Sequence, residues 1–386
     1  MIPYGRQNIT SKDILNVKKV LRSDFLTQGP VVPVFERAVK RYCGASYAVA
    51  VNSATSALHI ACVALNLGPN DWLWTSPNTF VASANCGRYC GAKIDFVDID
   101  TNTYNMSISA LKEKLKISKK KGKLPKVVIP VHFAGQPCDM IAIKKLSKKY
   151  GFKIIEDASH AIGASYHKNK IGSCKYSDIT VFSFHPVKII TTGEGGMALT
   201  NNKRLAERLC RLRNSGITRD KWLMKNRPKN EIWNYQQIEL GLNYRMTDIQ
   251  AALGLSQLNR IDKFVKERYR IVDFYEKNLI NLPIKKPWQL PGTHSSYHLY
   301  PICIDFKKTR KTQRKIYNFL HKNKIKVNLH YIPVHRHPYY ESLGFKKGDF
   351  PVSEDFHRKV ISLPIFPTLK ENDCKKILNK ILLAFK

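Results

Sequence analysis

Short runs of apolar residues, each about as long as a buried strand, recur through the first half of the chain. Turns and helical patterns separate them. The runs are Tyr47–Val51 (YAVAV), Trp72–Thr75, 92–98 (AKIDFVD), 126–131 (KVVIPV), 152–155 and 179–184. Runs like these, most of them with little polar alternation, suit strands covered on both faces, as in a parallel sheet. Their repetition with helical segments predicts an α/β fold with a largely parallel central sheet. Ligands of such sheets bind beyond the carboxyl ends of the strands, so the residues following each run are where chemistry is expected.

Behind the 179–184 run comes a single lysine, Lys188, then two threonines and a Gly-x-Gly-Gly turn at 193–196. Such a turn lets the backbone pass close to something. A lysine between a buried strand and this turn is partly dehydrated. Dehydration disfavours the ammonium, so the amine becomes nucleophilic below its ordinary pKa of about 10.4. Lysines that bond covalently to carbonyl compounds are made this way. Upstream, Asp157 and His160 follow the 152–155 run. Alone, Asp157 reads as a helix cap. Pyridoxal phosphate needs a lysine, an acid for its ring nitrogen, an aromatic face and a phosphate cradle. Lys188 and Asp157, each behind its own strand, supply the first two. A cradle is offered where YAVAV ends and NSATSAL (52–58) opens a helix, whose first turn has unpaired N–H groups and the positive end of the dipole. An ordinary serine N-cap is the plainer reading of the same letters.

At 386 residues the chain is long for one domain, so a large domain over 1–260 and a helix linker with a smaller one over 261–386 are expected. The smaller part reads as a long helix near 262–280, a proline-rich junction, a strand at 298–302, a helix at 310–323 and a strand at 327–331 leading into a loop. No stretch approaches the roughly 18 apolar residues of a membrane span. The first residues lack a signal-peptide core, and nine cysteines without paired spacing read as free thiols, so the cytoplasm is the expected compartment. Formal charge is +36, from 65 basic and 29 acidic side chains. Such an excess could attract nucleic acid. The lysines are spread out, however, the densest run (112–126) reads as a helix end and loop, and no nucleic-acid-binding motif accompanies them. His330, His335 and His337 lie close in sequence but without a supporting carboxylate, so no metal site is expected.

Three long motifs carry a resemblance: EDASHAIGA (156–164), SFHPVKIITTGEGG (183–196) and GLNYRMTDIQAALGLSQL (241–258). They resemble the DegT/DnrJ/EryC/StrS sugar-nucleotide aminotransferases, a fold-type I pyridoxal-phosphate family, and the likeness runs from about residue 4 to the C-terminus. The resemblance implies catalytic roles for Lys188 and Asp157. It implies cofactor contacts at Ala54, Thr55, Phe80, His160, Ser183 and Asn243, with Phe80 stacking on the ring although the bare sequence reads it as core. It also implies that Asn243 reaches the site of a partner subunit, making a homodimer with shared active sites. Tyr4, Asp24, Phe25, Leu26 and Thr27, with Ala54, Asn328, Leu329, His330 and Tyr331, are the implied substrate contacts. Within the family, LTQGP, NSATSAL, HLYPI and LHYIPV match a subgroup that moves an amino group from L-glutamate to the 4-keto carbon of a UDP-linked 6-deoxy-HexNAc. Amination of another keto-sugar nucleotide, at C3 or on a dTDP or GDP carrier, is the nearest alternative, and a basic nucleic-acid binder the distant one. Related dehydratases on this fold carry histidine in place of the lysine, and Lys188 argues against that role.

Overall fold

A computed structural model describes residues 1–226 and 231–386; part of the basic stretch read at 214–237 therefore lies outside the described residues. Seven strands form the main sheet, in the order Tyr47–Val51, Gly196–Thr200, Ile179–Ser183, Lys153–Asp157, Val127–Ile129, Trp72–Thr75 and Lys93–Phe96. Gly196–Thr200 runs against both neighbours, and the other pairings are parallel. The apolar runs are strands for the reason the sequence suggests. Val127–Ile129, Ile179–Ser183 and Gly196–Thr200 are buried at every position, between helices on the two faces.

The helix Ala54–Ala64 is itself a core element. Leu58, Ile60, Ala61 and Cys62 are almost wholly enclosed, and Ser53 caps it by accepting the Ser56 N–H at 3.1 Å. The basic run at 112–126 is mostly helix rather than loop. Ile108–Lys120 puts Leu111 and Leu115 against the sheet and its lysines outward. A buried carboxylate, Asp248, ties the next layer together. It accepts the N–H groups of Gly29 and Val31 at 2.7 Å and of Val32 at 3.1 Å, satisfying the first turn of helix Val31–Cys43.

Towards the C-terminus, Ile284–Lys285, Tyr300–Ile304 and Val360–Leu363 form a second, antiparallel sheet. Its own core includes Ile271, Tyr275, Ile316, Leu320, Ile377 and Ile381 from the helices packed on it. The first residues of the chain join this part. Ile2 bridges Ile325, and the Tyr4 carbonyl accepts the Ile365 N–H at 3.0 Å. The strand expected at 327–331 does not form. Asn328 alone bridges Ser362 through the backbone; beyond it only the His330 side chain reaches back to Ser362 Oγ, and Tyr331 turns to His160. Among the described residues no helix is long and apolar enough to cross a membrane.

Candidate active site

A cavity of about 510 Å³ opens at the carboxyl ends of the central strands. A void of that size accommodates a cofactor-sized ligand. Lys188 and Asp157 both line it. The lysine stands in a hairpin that joins two adjacent strands. Phe184 N–H donates to the Gly195 carbonyl at 2.9 Å and Thr192 N–H to the Phe184 carbonyl at 3.0 Å, closing the loop around it. Burial pulls the Lys188 amine down to about 8, against the pull of Asp157, which favours the ammonium. The amine is dehydrated without being sealed off, since the residue keeps some solvent contact.

Asp157 ends its strand 5% exposed and is held from two sides. Ser83 donates from Oγ to Oδ2 at 2.6 Å, and the Ser159 N–H to Oδ1 at 3.1 Å. The Ser83 oxygen in turn lies 2.7 Å from Thr79 Oγ1. Since Ser83 commits its proton to the carboxylate, Thr79 is the donor of that pair.

The glycine turn answers what the backbone passes close to. A Cβ on Gly196 would lie 2.5 Å from Ala54 N and equally close to the carbonyl of Ser53. The strand thus runs directly against the start of helix Ala54–Ala64. Ala54 and Thr55 face the cavity there, and Ser183, the last residue of its strand rather than part of a loop, faces it too. The first N–H groups of a helix have no intrahelical acceptor, so this corner suits an anion. The serine cap of that helix is also present, and the two readings coexist.

Aromatic and imidazole groups close the cavity. Phe80 is 59% exposed and lines the void, which removes the core reading of the bare sequence. Its ring centroid is 6.4 Å from that of Tyr331. His160 accepts the Ala134 N–H at Nδ1 (3.3 Å), so its proton sits on Nε2 and points to Tyr331 Oη at 3.0 Å. Burial and the Lys188 charge hold His160 well below the ordinary imidazole range, and His330 down to about 3. Both rings are therefore neutral near pH 7. His330 is fixed by Ser362 Oγ at 2.9 Å and by the Asn328 amide at 3.3 Å. Tyr4, Asn328, Leu329, His330 and Tyr331 all line the void.

Asp24, Phe25, Leu26, Thr27 and Asn243 lie elsewhere. All five are exposed and none lines the cavity of its own chain. Leu26 and Thr27 lie against the segment that follows Asn243, because Thr27 bridges Thr247 and the Leu26 carbonyl accepts the Asp248 N–H at 3.0 Å, while Asn243 itself bridges Asn214. The histidine cluster does not converge either. His330 belongs to the cavity, whereas His335 pairs with Glu354 at 2.9 Å, a carboxylate that sequence proximity did not reveal. Thr79, Glu194 and His298 also face the cavity, and Ser83 lies buried behind Asp157, none of them having been singled out. His298 lay within the HLYPI motif, and its buried Nδ1 has no hydrogen-bond partner among the described residues. Ser83 gave no signal, being 74 residues from Asp157.

Residues 7–382 match the DegT/DnrJ/EryC1/StrS aminotransferase family. The chain belongs to that family. A curated relative, the UDP-4-amino-4,6-dideoxy-N-acetyl-beta-L-altrosamine transaminase of Campylobacter jejuni, is 35% identical over 97% of this chain and 95% of its own length. The spore coat polysaccharide biosynthesis protein SpsC of Bacillus subtilis is 36% identical over 98% and 96%. Among solved structures, Helicobacter pylori PseC, an aminotransferase involved in the biosynthesis of pseudaminic acid, superposes with a TM-score of 0.88 at 30% identity, over 100% of this chain and 99% of that one. This DegT-family chain is thus a sugar aminotransferase, of a family that uses pyridoxal phosphate. The residues present fit that group. A dehydrated amine, a buried carboxylate held at both oxygens, an anion-accepting helix start and an open aromatic face surround one void.

Proposed function

We propose that this aminotransferase moves the amino group of L-glutamate to the 4-keto carbon of UDP-2-acetamido-2,6-dideoxy-L-arabino-hex-4-ulose. The product is UDP-4-amino-4,6-dideoxy-N-acetyl-beta-L-altrosamine, on the way to pseudaminic acid. The observation that carries the reading is the meeting of Lys188, Asp157 and the start of helix Ala54–Ala64 in one cavity. The whole-length likeness to the C. jejuni transaminase supports the choice of substrate.

Bound there, pyridoxal phosphate would supply an electron sink for the carbon that gains or loses a proton. Lys188 would hold the cofactor covalently and, once displaced, carry that proton as general base and then acid. An amine poised near 8 suits both tasks near neutrality. Asp157 would keep the ring nitrogen protonated, its own position fixed by Ser83. The N–H groups of Ala54 and Thr55 with Ser183 Oγ would take the phosphate, Phe80 would cover the ring, and His160 would donate toward Tyr331 beside the ring oxygen. Tyr4, Asn328, Leu329, His330 and Tyr331 would contact the sugar nucleotide, with Ala54 at its edge. Asp24, Phe25, Leu26, Thr27 and Asn243 would complete the cavity of a second copy, Asn243 reaching its cofactor phosphate. We place the enzyme in the cytoplasm as a homodimer.

The test is direct. The protein is incubated with the UDP-4-keto sugar and L-glutamate, and the new nitrogen is located by NMR. Amination at C4 is expected, and Lys188→Ala should abolish turnover while the fold survives. The comparable likeness to SpsC keeps a second reading in play, amination of another keto-sugar nucleotide. Turnover of a dTDP-linked or 3-keto sugar with none of the UDP substrate would replace the first reading by the second. Multiple turnover by Lys188→Ala would overturn both.

A further inference from the structure

Away from the cavity, helices Ala54–Ala64 and Ala82–Tyr89 cross with three thiols and an imidazole between them. Cys62 lies in the last turns of the first helix, and Cys86 and Cys90 lie four residues apart on one face of the second and its C-cap. Cys62 Sγ and Cys86 Sγ are 3.6 Å apart, and the Cys62 thiol also meets that of Cys90. His59, one turn before Cys62, reaches Cys90 as well, while its Nδ1 sits 3.1 Å from the Tyr244 hydroxyl and its ring meets the edge of Tyr89. Cys62 and Cys86 are wholly buried, and Cys90 keeps some exposure. Among the described residues no three such groups are placed to share a metal ion, so thiol chemistry is what remains.

We infer that Cys90 and Cys62 form a peroxide-reactive thiol pair, Cys90 attacking and Cys62 resolving. Exposure and hydrogen bonding assign the roles. Cys90 is the member that a small oxidant can reach, and the bonds from Cys62 and His59 draw its thiol below the ordinary range, whereas burial pushes Cys62 well above it. In the first step the Cys90 thiolate takes an oxygen from hydrogen peroxide. The O–O bond breaks, an S–OH group forms, and the leaving hydroxide takes a proton to become water. Cys62 then loses its proton, with His59 placed to assist, and attacks the Cys90 sulfur. A second water departs and an S–S bond forms. Overall, two thiols and one peroxide give one disulfide and two waters. The bond would tie together two helices whose opposite ends carry Ala54 and Ser83, yet it lies outside the cavity, so the reduced enzyme does not depend on it.

An internal competitor makes the test sharp. Cys210 is exposed, but burial of its sulfur raises its pKa. Were exposure alone decisive, Cys210 would react first. The full-length protein is treated with limiting iodoacetamide near neutral pH and its peptides are weighed. Cys90 is expected to label about tenfold faster than Cys210. One equivalent of hydrogen peroxide should then remove about 2 Da and yield a cross-linked Cys62–Cys90 peptide. Cys62→Ser should stop at a dimedone-trappable Cys90 sulfenic acid, and Cys90→Ser should yield neither product while keeping aminotransferase activity. Should the buried Cys62→Ser variant not fold, the half-buried Cys90→Ser variant still decides. Faster labelling of Cys210, or an oxidised protein in which Cys90 carries no modification, would overturn the assignment.

Discussion

One methyl group at Gly196 should separate phosphate binding from the rest of the site. In Gly196→Ala the new Cβ would lie 2.5 Å from three main-chain atoms, Ala54 N and the carbonyl carbon and oxygen of Ser53. Non-bonded carbons rest about 3.5–4.0 Å from their neighbours, so the two backbones must part by about 1 Å. Gly196 has little room to yield, because it is paired to Val51 on one side and Ser183 on the other. The start of helix Ala54–Ala64 must move instead. Overpacking of this kind costs about 1–3 kcal/mol of stability. An N–H bond to a charged group contributes about 1.5–3 kcal/mol, so losing one should weaken pyridoxal phosphate about 10- to 150-fold. The assay is a fluorescence titration of the apo variant with pyridoxal phosphate and, separately, with pyridoxal, which lacks the phosphate. The expected result is a loss confined to the phosphorylated compound. Gly68→Ala, whose Cβ would meet nothing nearer than 3.9 Å, serves as the control and should change neither affinity. Equal losses for the two compounds, or none, would refute the placement of the phosphate at this helix.

Other expectations follow from the same geometry. Covalent capture of pyridoxal phosphate by the apo protein, trapped with borohydride, should speed up about tenfold per pH unit up to about 8 and then level off, because only the neutral Lys188 amine attacks. A rise continuing to pH 10 would mean the amine is fully hydrated. Asp248→Ala should cost about 3–5 kcal/mol in urea denaturation, since three N–H groups at the start of helix Val31–Cys43 lose their acceptor together; a loss below about 1 kcal/mol would show that water replaces it. Tyr331→Phe removes the group opposite His160 Nε2 at 3.0 Å and should lower kcat/KM about tenfold with little change in stability, as measured by steady-state kinetics alongside thermal unfolding.

What could be read in the sequence was local. The strand runs, the lysine before the glycine turn and the hydroxyl-rich helix start each occupy a few consecutive residues, and each appears where its letters suggested. The glycine turn even implied a close approach, although not to which neighbour. Contacts between distant segments were hidden. Nothing in the spacing joins Ser83 to Asp157, or Glu354 to His335, and only the folded sheet makes these pairs. The 327–331 segment misled because its alternation of apolar and polar side chains resembles a strand, whereas its polar members turn to the cavity and the sheet edge at Ser362 receives one bridge. Phe80 was hidden for the opposite reason, as a large apolar residue left 59% exposed in a cavity looks no different in sequence from one in the core.

The reversed direction of Gly196–Thr200 has a consequence for how such a chain can vary. Because that strand returns beside Ile179–Ser183, one short loop carries the reactive amine at its middle and, at its end, the surface on which helix Ala54–Ala64 rests. Adding or removing a single residue between 184 and 195 would shift the amine and, by a slip of one position, invert the faces of the returning strand. The length of this segment is therefore expected to be held constant in descendants of this chain even where its letters drift. New specificity would have to come from the walls of the void, leaving its floor as it is.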